Sequence, residues 1–263
     1  MIGFIYLTHS SIIVKKAFDF CYYVVRLFFN KTITNIEKNI KLSFIYHGDL
    51  VPGLYVWHPH GLFACTPYIH TALGMGENSP KMKLATLRFL LKMPIISEIS
   101  KEIGVIDSDY NILKEELVKK NSVSLIVGGI EEIFYTESYK IKLNIKNRTG
   151  YLKLSLETKM PLIPVITYGE NELYENIGEY TNSSWNKYIK NTLGIIIPFF
   201  KLKSLEPWSE LKDKPFRPVH SYAGPPVFPE EDDTIDTLRE KYLSALQDLF
   251  DKTHPEEYTM EFV

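Results

Sequence analysis

The sequence predicts an α/β fold, a mainly parallel β-sheet flanked by helices. Three observations carry that expectation. Two short apolar runs, 123–127 (VSLIV) and 162–167 (LIPVIT), are closed by glycine or opened by proline, the pattern of strands buried on both faces. Amphipathic segments lie among the strands, including 111–120 (NILKEELVKK), which precedes the first of these runs, and 150–159, which lies between them. Strand–helix–strand order of this kind calls for crossover connections, and crossovers build parallel sheets.

Taken from the N-terminus, the stretch Met1 to Val14 carries no formal charge but stops at Lys15 and Lys16. That is short of the roughly 18–20 apolar residues of a spanning helix. No basic residues precede it and no small-residue cleavage site follows, which argues against a signal peptide. At helical period Lys15, Asp19, Arg26 and Asn30 make one narrow stripe, and Phe18, Phe20, Val24, Val25, Leu27 and Phe28 cover the rest. Residues 1–30 are therefore predicted as an N-terminal amphipathic helix lying in a membrane interface, with a soluble core helix as the alternative.

Residues 31–263 read as one domain, because no repeat, low-complexity stretch or linker divides them. Segments 42–47 and 54–57 are predicted strands. Segment 62–102 is predicted helical, interrupted at 74–80 and bent near Pro94. Val105 and Ile106 form a short strand, 111–120 a surface helix, 123–127 a buried parallel strand, 150–159 a helix and 162–167 another buried strand. The last helix, 234–252, aligns Ile235, Leu238, Tyr242, Leu246, Leu249 and Phe250 along one stripe.

Composition removes several classes. In 263 residues, 30 Lys+Arg against 32 Asp+Glu leave a formal charge of −2, without the basic excess of a nucleic-acid protein. A 45% hydrophobic, 24% charged chain is not disordered, and a mean hydropathy of −0.10 is too low for a polytopic membrane protein. Cys21 and Cys65 cannot build a disulfide framework, so a reducing compartment is expected.

In a parallel α/β sheet the chemistry gathers in loops just after the strands. Three such loops stand out. His58-Pro59-His60-Gly61 follows the strand 54–57 and lies in 51–76, a stretch without a formal charge. Such a setting keeps imidazole neutral and fit to act as a base. A zinc site completed by His47 or His70, and a purely structural turn, are the alternatives, although no Cys, Asp or Glu stands at ligand spacing nearby. Gly128-Gly129-Ile130-Glu131-Glu132 follows 123–127 and reads either as a site loop, with glycine N–H groups facing a developing negative charge and Glu132 orienting a neighbouring imidazole, or as a glycine-rich strand exit with solvated glutamates. Tyr168-Gly169-Glu170-Asn171 follows 162–167 and reads either as a site loop or as a helix N-cap.

In 139–148 (YKIKLNIKNR), Tyr139, Ile141, Leu143 and Ile145 alternate with Lys140, Lys142, Asn144 and Lys146. This is a half-exposed strand with a cationic face, ending at Arg148; it suits phosphates or an anionic surface, or else a solvated edge guarded by lysines. P-loop, GxGxxG, CxxC and GxSxG patterns are absent.

Taken together, 55–61 (YVWHPHG), 127–132 (VGGIEE), 147–174 (NRTGYLKLSLETKMPLIPVITYGENELY) and 218–227 (PVHSYAGPPV) resemble, in order and spacing, the type 2 diacylglycerol acyltransferase family. The resemblance covers roughly residues 40–263. It implies a glycerolipid-acyltransferase-like fold and acyl-CoA-dependent O-acylation of a neutral lipid, diacylglycerol first, with monoacylglycerol, a wax alcohol or a non-catalytic lipid-binding module as alternatives. His60, with His58 as alternative, would be the base and Glu132 its partner. Gly61, Gly128, Gly129, Arg148, Gly150, Lys140, Lys142, Glu170 and Asn171 are the candidate substrate-binding residues, Arg148 and the two lysines for CoA phosphates. Acyl-CoA is a co-substrate and no cofactor or metal is implied. The expected partners are the two substrates and a membrane surface, with a homo-oligomer allowed, no nucleic acid, and the site facing the cytosol at endoplasmic reticulum or lipid droplet. Three features depart from the family: the N-terminal segment is only amphipathic, residues 107–110 (DSDY) lack the usual arginine, and Glu131 stands where a small residue is usual.

Overall fold

A computed structural model describes residues 23, 43–47, 51–62, 64–73, 82–92, 96–176, 178–194, 196, 199–202 and 218–263. The predicted interface helix of residues 1–30, and with it the boundary at residue 30, lies outside the described residues, Tyr23 excepted. Among the described residues no helix is long and apolar enough to cross a membrane.

The chain runs β1 (Ser43–Tyr46), β2 (Leu54–His58), α1 (Cys65–Leu73), β3 (Met82–Thr86), α2 (Arg88–Leu91), α3 (Ile96–Glu102), β4 (Val105–Asp107), α4 (Tyr110–Val118) and β5 (Ser122–Ile126). A 3-10 turn, Ile130–Tyr135, leads to β6 (Lys140–Leu143), α5 (Gly150–Thr158) and β7 (Leu162–Tyr168). Then come β8 (Tyr174–Asn176), α6 (Gly178–Thr181), α7 (Ser184–Leu193), β9 (Phe200–Leu202), β10 (His220–Ala223), α8 (Ile235–Thr253) and β11 (Thr259–Phe262).

Seven strands form one sheet in the order β1-β10-β7-β2-β5-β3-β4. Every neighbouring pair is parallel except β10 against β7. The mainly parallel sheet expected from the apolar runs is therefore present, and β2 lies between β5 and β7. In register, Trp57 faces Ile126 and His58 faces Ile166, so the loops leaving these three strands stand side by side on one edge.

Alternation along the strands sorts side chains between two layers. Leu54 and Val56, Val123, Leu162 and Ile166 face a core closed by Leu113 and Leu117 of α4, Tyr151, Leu152 and Leu154 of α5, and the stripe Leu238, Tyr242, Leu246, Leu249 and Phe250 of α8. Tyr55, Trp57, Ile163, Val165 and Ala223 face the opposite side, with Phe44, Tyr46, Met82 and Ile126. The start of α8 is set locally: the Thr234 side chain accepts from the Thr237 N–H, and the Thr237 hydroxyl accepts from the Thr234 N–H.

One element departs from the sequence reading. Within 62–102, predicted helical, MKLAT at 82–86 is the strand β3, wedged between β5 and β4. Met, Lys, Leu and Ala favour helix locally, and sheet pairing on both sides overrides that preference. The 139–148 segment does form a strand, β6, but it pairs with β11 in a separate two-stranded sheet. Its apolar face, Ile141, Leu143 and Ile145, is buried.

The α8 stripe predicts a stability effect. Leu246 is fully buried, and Leu246→Ala should lower the unfolding free energy by about 2–5 kcal/mol in urea titrations, through lost burial plus the cavity left behind.

Candidate active site

The two histidines after β2 have opposite fates. His58 is still strand, fully buried, and faces α8: its Nε2 lies 2.8 Å from the Tyr242 hydroxyl, and its Nδ1 is buried without a partner. Burial pushes its pKa down to about 3, so it is a neutral core residue. The peptide between His58 and Pro59 is cis, and Gly61 has φ of +61°, a left-handed conformation that suits glycine. A side chain at 61 would also meet Asn171 Oδ1 at 2.7 Å. Between these turns His60 leaves the strand path and lines a cavity.

The His60 ring Nδ1 is 2.9 Å from the Gly61 carbonyl oxygen. A carbonyl only accepts, so Nδ1 carries the proton and donates, which assigns Nε2 as the nitrogen with a free lone pair. Burial lowers the His60 pKa from its ordinary value, against the opposing pull of the Gly61 carbonyl. His60 is thus a neutral imidazole with a basic nitrogen available.

Glu132 is nearly solvent-free, and both its oxygens are spent on main chain. Oε2 accepts from the His60 N–H and Oε1 from the Asn144 N–H, each at 2.8 Å. The sequence reading put this carboxylate at an imidazole; it instead holds the peptide of His60, because the ring Nδ1 is already engaged by Gly61. Gly128 is required by this arrangement, since a Cβ there would sit 1.9 Å from the Glu132 carboxyl carbon. Burial pushes the Glu132 pKa up to about 7, while the two N–H donors and Arg148 pull it down.

Glu131, one residue earlier, turns outward. Its carboxylate accepts from Lys190 Nζ at 2.5 Å, Arg148 Nη2 at 3.0 Å and Asn144 Nδ2 at 2.9 Å, and these cations hold its pKa below the usual carboxylate range. Arg148 also reaches the Gly128 carbonyl at 3.4 Å. Glu170 accepts from the N–H and the hydroxyl of Thr66 at the start of α1, and Asn171 Oδ1 is buried without a partner.

The cavity measures about 360 Å³ and opens at the carboxyl ends of β2, β5, β3 and β4. Its walls are mostly aliphatic, with Leu62, Leu87, Leu125, Ile133 and Ile196, and its polar groups are His60, Tyr68, Thr86, Ser108 and the Gly129 backbone. Leu87 and Phe89 are exposed at its rim. Beside it, the loop 107–109, which lacks an arginine of its own, receives Arg88 of α2 on Asp107 at 2.5 Å and Asp109 at 3.0 Å.

The structure therefore brings His60, Gly61, Gly128, Gly129, Glu132, Arg148, Glu170 and Asn171 to one edge of the sheet. It places His58 in the core instead. Lys140 and Lys142 lie on β6, paired with Glu137 and, for Lys142, Glu261, and neither lines the cavity. Gly150 opens α5 with no atom within 4 Å of where its Cβ would be. The histidines considered as a metal set do not converge: His70 packs 5.1 Å from Phe44 and 5.6 Å from Trp57 on the other sheet face, and His47 stacks 5.7 Å from Tyr222. Tyr242, Asn144 and Lys190 were not legible as site neighbours; Lys190 sits in an amphipathic helix, and nothing local marks it as a partner for Glu131.

Fold and site together define an α/β protein with a neutral histidine at the mouth of an apolar pocket. The family model for diacylglycerol acyltransferase matches residues 51–261, and the chain belongs to that family. Diacylglycerol O-acyltransferase 2A of Umbelopsis ramanniana is 29% identical over 231 residues, which cover 79% of this chain and 64% of that protein. Diacylglycerol O-acyltransferase 2 of Dictyostelium discoideum is 28% identical, covering 76% and 65%, and that of Homo sapiens 26%, covering 76% and 56%. The chain thus spans 56–65% of the length of these relatives. Among solved structures, the 1-acyl-sn-glycerophosphate (LPA) acyltransferase PlsC from Thermotoga maritima aligns with a TM-score of 0.47 at 15% identity, over 92% of this chain and 84% of that one.

Glu132 predicts a pH dependence of stability. A carboxyl near 7 when folded and near 4.5 when unfolded contributes stability that is complete below pH 4.5 and lost as pH rises through 7. The urea midpoint of the wild type relative to Glu132→Gln should fall across that window; the difference isolates Glu132 from His58 and His70, whose lowered pKa values make stability rise with pH over the same range. The amide keeps one acceptor oxygen and turns an NH₂ toward the other N–H donor, so Glu132→Gln should also cost about 1–3 kcal/mol near pH 5.

Proposed function

We propose that this chain transfers a fatty acyl group from acyl-CoA to the hydroxyl of diacylglycerol, giving triacylglycerol and free CoA. The observation that carries this reading is His60, with Nε2 free, at the mouth of an aliphatic cavity. Nε2 takes the proton of the acceptor hydroxyl as its oxygen attacks the thioester carbonyl. The tetrahedral intermediate then collapses, the C–S bond breaks, and the imidazolium returns the proton to the CoA thiolate. No covalent enzyme intermediate is formed. Gly129 lines the cavity and its N–H donates to no other described residue, so this N–H is the donor assigned to the developing oxyanion. Glu132 is assigned as a positioning residue, because it fixes the main chain on which the His60 ring is hung. The aliphatic wall supports a fatty acyl chain as the group transferred. Family membership supports diacylglycerol as acceptor. Both lipid substrates partition into bilayers, so the reaction is placed at a membrane surface, with residues 1–30 as the attachment segment and the site facing the cytosol.

Purified protein in mixed micelles, given radiolabelled oleoyl-CoA with diacylglycerol, monoacylglycerol or hexadecanol, tests the reading. Label should enter triacylglycerol, and His60→Ala should lower the rate by about 10²–10⁴-fold with an unchanged melting temperature. His58→Ala should instead lower the melting temperature, because it empties a core site against Tyr242. Label in another acceptor would replace diacylglycerol; full activity in His60→Ala would remove the base, and no transfer from folded protein would leave a lipid-binding module.

A further inference from the structure

Two cations from separate elements meet beside the Gly128–Gly129 turn, whose Gly129 lines the cavity. Arg148 precedes α5, Lys190 belongs to α7, and both close on the Glu131 carboxylate, at 3.0 and 2.5 Å. The Asn144 amide donates to the same carboxylate at 2.9 Å. Arg148 Nη2 stands 3.8 Å from where a Cβ on Gly129 would be, and Gly129 lines the cavity. The cluster is open to water, with side chains 41% exposed for Arg148, 28% for Lys190 and 36% for Glu131.

Ion pairs of this exposure add little to stability, so holding the fold does not account for gathering two long cationic side chains here. The composition is that of an anion site. An arginine fork, a lysine point charge and a neutral amide converge on one group. Both cations pair with the single carboxylate of Glu131, while Glu132, the other acid that Arg148 acts on, is buried with both oxygens held by main-chain N–H groups. A phosphate monoester, with close to two negative charges and three acceptor oxygens, matches both cations better than Glu131 does. In acyl-CoA the pantetheine arm carries the phosphates away from the thioester, so with the thioester at His60 they lie outside the cavity.

We propose that Arg148, Lys190 and Asn144 form a phosphate-binding site for the CoA moiety, and that Glu131 occupies it as a built-in anion which the co-substrate displaces. This rests on the acyl-CoA reading given above and adds to it a ligand contact, Lys190, and an internal competitor, Glu131. Self-competition weakens CoA binding, and it thereby speeds release of the free CoA product.

Titration calorimetry of the full chain with CoA and with 3′-dephospho-CoA, and thermal shift with inorganic phosphate, test the site without turnover. Glu131→Gln should bind CoA about tenfold more tightly and be stabilised more by phosphate than the wild type, the size of one charge-assisted hydrogen-bonded contact released to the ligand. Lys190→Gln should bind CoA about tenfold more weakly. A gain for CoA alone assigns the 3′-phosphate, and a gain for both nucleotides assigns the diphosphate. Unchanged CoA affinity in Glu131→Gln overturns the proposal, as does unchanged affinity in Lys190→Gln, which decides the matter if Glu131→Gln does not fold. Tighter CoA binding by Glu131→Gln, in a chain whose wild type transfers no acyl group, would keep the site and remove the acyl-transfer reading.

Discussion

The site depends on one buried carboxylate bridging two segments of main chain. Glu132 accepts the N–H of His60 on one oxygen and the N–H of Asn144 on the other. It thereby ties the loop after β2 to the segment that leads from β6 toward Arg148. Removing such a group from water is costly unless every lone pair that matters finds a donor, and the backbone supplies both. Gly128 leaves the space this requires, and the outward turn of Glu131 follows, since neighbours in a tight turn cannot point the same way.

The same device recurs along the edge. Glu170 accepts from the N–H and hydroxyl of Thr66, which joins the loop after β7 to the start of α1. Glu172 accepts from the Tyr139 N–H at 2.8 Å and the Tyr258 hydroxyl at 2.6 Å, and that hydroxyl accepts from the Gly169 N–H at 3.0 Å. Three buried glutamates thus hold loops from distant parts of the chain with main-chain donors. Loops at a parallel sheet edge cannot pair as strands do, so their backbone groups need such partners. The rigid edge is what lets a single imidazole be presented to the cavity at a fixed angle.

Much of this was legible in the residues. The runs at 123–127 and 162–167 are β5 and β7, the stripe on 234–252 is the buried face of α8, and the loops named as chemistry-bearing do leave adjacent strands. These readings rest on periodicity and on glycine and proline punctuation, which are properties of neighbouring residues. The failures share the opposite character. β3 reads as helix because its residues favour helix, and only its two sheet neighbours decide otherwise. Lys140 and Lys142 left two readings open, a phosphate-facing strand or a solvated edge, and pairing with Glu137 and Glu261, partners outside the strand itself, favours the solvated edge.

The sequence by itself determined the α/β class, the strands β2, β5 and β7, the His58–Gly61 and Gly128–Glu132 loops, and the family to which they point. Only the tertiary structure decided which histidine faces the cavity, what Glu132 holds, and where Glu131 turns. His58 meets Tyr242 across 184 residues and His60 meets Glu132 across 72, so the two roles are set by distant partners. Amphipathic pattern is written into each segment, whereas burial and hydrogen-bond pairing exist only after the segments have packed.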